Sequence, residues 1–105
     1  MKKPNILKIK TLSDRKDDWC DKDVVMLHAC FQLLTDCVED EELLDGYVDW
    51  ENTEEMRNRK IEIETLYNWW QERKEKDEPS SHTSQYEEDN EMLIRLIKIR
   101  KHLWT

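Results

Sequence analysis

Residues 23–44, DVVMLHACFQLLTDCVEDEELL, decide the fold. At about 100° per residue, Val24, Leu27, Phe31, Leu34 and Val38 fall on one side of a helix. Met26, Cys30, Leu33 and Cys37 widen that side to about half the circumference. A face so wide touches two other helices rather than one, so the stretch reads as the central helix of a bundle. Asp21 or Asp23 can cap its start, because a carboxylate there accepts N–H groups that lack an intrahelical partner. Gly46, the single glycine of the chain, stands where such a helix should end.

Downstream, WENTEEMRNR (50–59) opens a second helix. Asn52, with Glu55 three positions on, has the form of a capping box, with Asn in the place of Ser or Thr. Met56, Ile63, Leu66, Tyr67 and Trp70 then share a face down to Lys76. Residues 77–85, DEPSSHTSQ, read as a linker broken by Pro79. A third helix over 86–104 carries two apolar seams: Met92, Leu96, Ile99 and Leu103, and beside them Leu93, Ile97 and Trp104. Upstream, residues 1–18 form a basic arm whose NILKIKTL alternates weakly; it is expected to run extended and to pack Leu7, Ile9 or Leu12 on the bundle. The expectation is an all-α protein: a compact three-helix bundle with an N-terminal extended arm, its single helical domain covering 19–105 with helices at 23–44, 53–76 and 86–104.

Composition agrees. A chain of 105 residues with one glycine and two prolines lacks the turn residues that a sheet protein needs. With 40% charged residues the core must be thin, and five tryptophans supply much of its apolar area. No apolar run approaches the ~18 residues of a membrane span, and no signal peptide opens the chain. Cys20, Cys30 and Cys37 are three in number and form no CxxC pair. Cys30 and Cys37 would stand about 10.5 Å apart along a helix, too far for a disulfide, so reduced thiols in a cytosolic protein are expected.

The net charge of -8 is distributed in blocks. Residues 1–16 carry +5, residues 17–55 carry -13, and residues 92–105 carry +4. An acidic middle repels DNA, whereas the arm and the last helix attract phosphate.

Several side chains stand out as chemistry. In LYNWWQERKEK (66–76), Trp70 lies with the core face, while Trp69 lies about 100° away beside Glu62 and Arg73. Trp69 is either covered by the arm or a second subunit, or serves as a stacking platform for a base or a partner side chain, with Arg73 four residues on as a cation–π neighbour. Arg100 projects between the two seams of the third helix, where a charge needs a partner. Asp89 could supply an ion pair; alternatively Arg100, with Arg95, Lys98 and Lys101, could hold an anion. His28, Gln32, Thr35 and Glu39 form a polar stripe at the border of the first helix's apolar arc. His28 there reads as a histidine satisfied by a neighbour, and with His82 and His102 far along the chain, zinc is not expected.

The acids allow one enzymatic test. All-helical, MazG-like nucleotide pyrophosphohydrolases hold magnesium with paired ExxE and ExxD motifs on facing helices. Glu39/Glu42, Glu51/Glu54 and Glu88/Glu91 have that spacing, but twenty-five acids produce such matches by chance. There is no P-loop and no Ser/His/Asp arrangement. Catalytic residues, metal and cofactor are therefore all expected to be none.

Across residues 19–105, MLHACFQLLTDCVEDE, LYNWWQER and the closing EMLIRLIKIRKHLWT resemble a group of small helical proteins of tailed bacteriophages. Ile97, Ile99, Arg100, Leu103, Trp104 and Thr105 carry its terminal LIxIRxxLWT motif, and the arm lies outside it. The resemblance implies a phage protein in the host cytoplasm and brings no catalytic residues with it. The expected function is then binding without turnover, to modulate or evade a host defence. The leading form is sequestration of a nucleotide-like small molecule, with Trp69 and Trp104 stacking and Arg73, Arg95, Arg100 and Lys101 neutralising phosphate. A homo-oligomer would suit a chain too small to enclose a ligand alone. The alternative is an acidic protein–protein inhibitor, or nucleic-acid mimic, of a host protein, working through Asp36 to Glu55.

Overall fold

The structure, a computed structural model, describes residues 7–12, 22–44, 49–75 and 83–103. Three helices form α1 (Lys22–Glu39), α2 (Glu54–Arg73) and α3 (Thr83–Lys98), and a 3-10 turn (Arg100–His102) follows α3. Among the described residues there is no strand, and each helix packs on the other two. The order is up-down-up. At one end the Asp23 carboxylate at the start of α1 sits close enough to Tyr86 at the start of α3 to raise the pKa of its phenol, and at the other the Cys37 thiol reaches the Leu103 carbonyl at 3.8 Å. α1 and α3 are therefore parallel, with α2 running back between them.

The core is built from the expected periodic positions. Leu27, Phe31 and Leu34 of α1 meet Ile63, Leu66 and Trp70 of α2 and Met92, Leu96 and Ile99 of the last segment, all buried. Val38, Met56, Tyr67, Leu93 and Leu103 pack partly buried around them. Met26 and Leu33, expected to widen the buried arc of α1, instead stand 58% and 50% exposed.

α1 ends at Glu39, well before the expected Leu44. Glu39, Asp40, Glu41 and Glu42 lie where a helix dipole favours cations, and the last turn holds no base. The chain unwinds there: the Asp40 and Glu41 amides both donate to the Asp36 carbonyl, and the Leu43 amide donates to Cys37 at 2.9 Å. Glu42 takes the left-handed conformation that the exit requires, with φ 52°. Gly46, expected to fill that role, lies outside the described residues.

At the start of α2 the cap is Thr53, whose hydroxyl accepts from the Met56 amide at 3.1 Å. Asn52, the expected cap, belongs to the preceding turn, where its amide donates to Asp49. α3 begins at Thr83, so the last three residues of the expected linker are helical. Residues 76–82, with Pro79 and His82, lie outside the described residues. After Lys98 the backbone tightens into the 3-10 turn, so the two seams of the last helix do not continue in register to 104.

Of the arm, residues 7–12 are described, and they cover the polar stripe of α1. The Lys10 amide donates to Gln32 Oε1 at 3.1 Å, Gln32 Nε2 donates to Asp36, and the Thr11 hydroxyl bonds His28 Nδ1 at 2.5 Å. Polar contacts thus anchor this segment. Ile9 and Leu12 are half-buried, and Leu7 is exposed.

Candidate functional site

The end of the bundle where α1 stops, α2 starts and the 3-10 turn closes carries the densest charge. Two apolar side chains organise it. Leu43 and Trp50 are both buried, and the Trp50 indole N–H donates to the Leu43 carbonyl at 3.1 Å. With these two turned inward, the acids of the connection turn outward: Glu39, Asp40, Glu42, Asp49, Glu51, Glu54 and Glu55 are exposed. Residues 36–55 hold ten acids and no lysine or arginine. Among the described residues, only Asp40 of this stretch forms a salt bridge, with Lys10 at 3.9 Å across solvent. Glu39 accepts from the Tyr67 hydroxyl at 2.5 Å, which pushes the phenol up to about 12, helped by burial and by the charge of Glu39.

A second set of atoms meets at this end. The His102 ring lies 6.4 Å from the Trp50 ring, and His102 Nε2 and Arg59 Nε are buried without a hydrogen-bond partner. Burial holds His102 below the usual histidine range; the charges of Lys101 and Arg59 push the same way and Glu55 opposes them. Neither Arg59, Trp50 nor His102 stood out in the sequence, since two carry no helical period and Arg59 sits in a charged run.

Of the six expected ligand residues, the five described divide among three roles. Trp69 is half-buried, its ring 5.2 Å from Phe31 and 6.2 Å from Trp70, so α1 covers one side of it. Arg73 is buried and grips Asp89 of α3 with Nε and Nη2 at 2.8 and 2.9 Å. Gln85 adds a third hydrogen bond to the same carboxylate at 2.9 Å. Arg95 holds Glu62 of α2 through Nε at 2.9 Å and through Nη2. That hydrogen bond is the main reason Glu62 sits below the usual carboxylate range and Arg95 above its own. Arg100 and Lys101 are exposed neighbours on the 3-10 turn. Trp104 lies outside the described residues.

Arg100 is thereby corrected on two counts. It does not project between apolar seams, because the tighter turn after Ile99 rotates it to the surface. Its suggested partner Asp89 belongs to Arg73.

His28 sits as a satisfied border histidine, bonded to Thr11 and edge-on to Trp70 at 4.9 Å. Cys30 and Cys37 are free, half-buried thiols, each raised above its ordinary pKa by burial. Cys20 and His82 lie outside the described residues. Of the three ExxE pairs, Glu88/Glu91 alone lies within one helix; Glu39/Glu42 and Glu51/Glu54 straddle helix ends. Among the described residues no three His, Cys, Asp or Glu side chains converge as a metal site would require. No helix among them is long and apolar enough to cross a membrane.

Fold and surface together define a small all-α bundle with one acid-rich end. No family model, curated protein or solved structure matches the chain.

Proposed function

We propose that the chain is a non-catalytic binding protein whose acid-rich end engages a basic protein surface that otherwise holds nucleic acid. In the phage setting to which the resemblance points, that partner is a host defence protein met in the host cytoplasm. One observation carries the reading: of the ten acids in residues 36–55, the nine described ones lie around Leu43 and Trp50, and among the described residues only Asp40 forms a salt bridge. Such a surface steers a basic partner over long range and presents carboxylates where phosphates would sit. Capture from host lysate at low salt should retain a basic protein that salt or added DNA releases. A variant with Glu41, Glu42, Glu54 and Glu55 changed to Lys should lose it. If both forms retain the same proteins, the reading fails.

A second reading keeps the nucleotide-like ligand and rests on Arg59 Nε and His102 Nε2, unpaired beside exposed Arg100 and Lys101. Arg73 and Arg95 contribute less to it, since each already holds a carboxylate. Cyclic di- and oligonucleotides should then raise the melting temperature. No shift with any of them at millimolar ligand removes this reading.

A further inference from the structure

We infer that the outward face of α3 is a self-complementary surface on which a second copy of the chain docks antiparallel. Gln85, Asp89, Met92, Leu96 and Ile99 face the core, so Ile94 points almost directly away from it. Ile94 and Ile97 are 53% and 58% exposed in the middle of this face. Glu87 and Glu91 lie on its N-terminal half and Lys98 and Lys101 on its C-terminal half, all four exposed. Among the described residues none of the four forms a salt bridge within the chain.

The spacing is what selects a second copy. Glu87 stands seven residues before Ile94, about 10.5 Å along the axis, and Lys101 seven residues after it, slightly farther because the 3-10 turn rises about 2 Å per residue. A two-fold axis through Ile94 therefore brings Glu87 of one copy opposite Lys101 of the other, twice, and Glu91 within a turn of Lys98, twice. The paired isoleucines close the centre. A parallel arrangement would set acid on acid and base on base.

The helix dipole alone does not explain the pattern. It favours acids in the first turn, yet the first turn of α3 has none and Glu91 is interior. Nor does it explain isoleucines at two positions more than half exposed. On α1, which runs parallel beside α3, Met26 and Leu33 are likewise at least half exposed.

The test is a charge-swap cycle on the full chain, read by sedimentation equilibrium with circular dichroism to confirm folding. The unaltered chain should be a dimer. Glu87→Lys alone and Lys101→Glu alone should each weaken it, by roughly tenfold, because each creates two like-charged contacts. The double variant should restore it, and Ile94→Asp should abolish it with helicity unchanged. A chain that stays monomeric leaves this face to some other protein and overturns the proposal. So does a dimer indifferent to Ile94→Asp, or a double variant no tighter than either single one. None of these outcomes touches the acid-rich end.

Discussion

Arg73, at the end of α2, and Asp89, nearly two turns into α3, hold each other in two parallel hydrogen bonds with 6% of each side chain exposed. This pair, with Gln85 on the same carboxylate, sets how α3 returns onto the bundle after the connection. Removing one member leaves the other a buried charge without its bidentate counter-ion, whereas removing both does not. Asp89→Asn should therefore cost about 3–5 kcal/mol in urea unfolding, and Arg73→Met with Asp89→Leu should cost less than either single change. A cost for Asp89→Asn within about 0.5 kcal/mol, as at ordinary surface sites, would show that the pair is open to water.

Glu42 sits at φ 52° in a row of acids. A side chain beyond Cβ is unfavourable in the left-handed region, and neighbouring carboxylates add repulsion. Glu42→Gly should raise stability by about 1 kcal/mol, and Glu42→Gln should recover only the electrostatic part. If glycine destabilises, the exit from α1 takes another path.

Glu62 and Arg95 join α2 to α3 midway along the bundle. The Glu62 pKa is lowered from 4.5, chiefly by the hydrogen bond from Arg95. A depressed carboxylate favours the folded state when ionised, so its contribution is complete above pH 4.5 and is lost as pH falls through the folded value. Both side chains are partly exposed, which limits the effect to at most about 1 kcal/mol. Glu62→Gln should lower the melting temperature at pH 7, and the two proteins should converge towards pH 3. A difference that persists undiminished at low pH would trace the loss to packing instead.

The three helices are legible because Leu27, Phe31 and Leu34, then Ile63, Leu66 and Trp70, then Met92 and Leu96 recur at helical spacing, and spacing reports which residues share a face. It does not report which faces meet. Asp89 lies on a plausible line with Arg100, yet tertiary packing gives it to Arg73 across a connection that no wheel represents. Arg100 itself was misplaced because a wheel assumes about 100° per residue, while the 3-10 turn advances about 120°. Leu43 and Trp50 carry the acid-rich end without any period, so their burial is visible only in three dimensions. The end of α1 was legible in principle: four consecutive acids oppose a helix C-terminus, a signal that outweighs the apolar Leu43 and Leu44.

Trp69 and Trp70 share one contact, Phe31 of α1. Trp70 stacks on it at 5.0 Å and 19°, with the ring 1% exposed and His28 edge-on at 4.9 Å. Trp69 leans on the same ring at 51° and stays half-buried. Trp70→Ala should therefore cost about 3–5 kcal/mol, a large part of the 5–15 kcal/mol that holds a domain of this size folded. Trp69→Ala should cost about 1–2 kcal/mol, since only part of its ring area leaves water. Measured by denaturant unfolding, this ordering separates packing from recruitment. A Trp69→Ala protein as stable as its parent would mean that the ring contributes nothing to the bundle, and the nucleotide reading would regain its stacking platform. A loss in the expected range assigns Trp69 to the α1–α2 interface and leaves the charged end of the molecule as its binding surface.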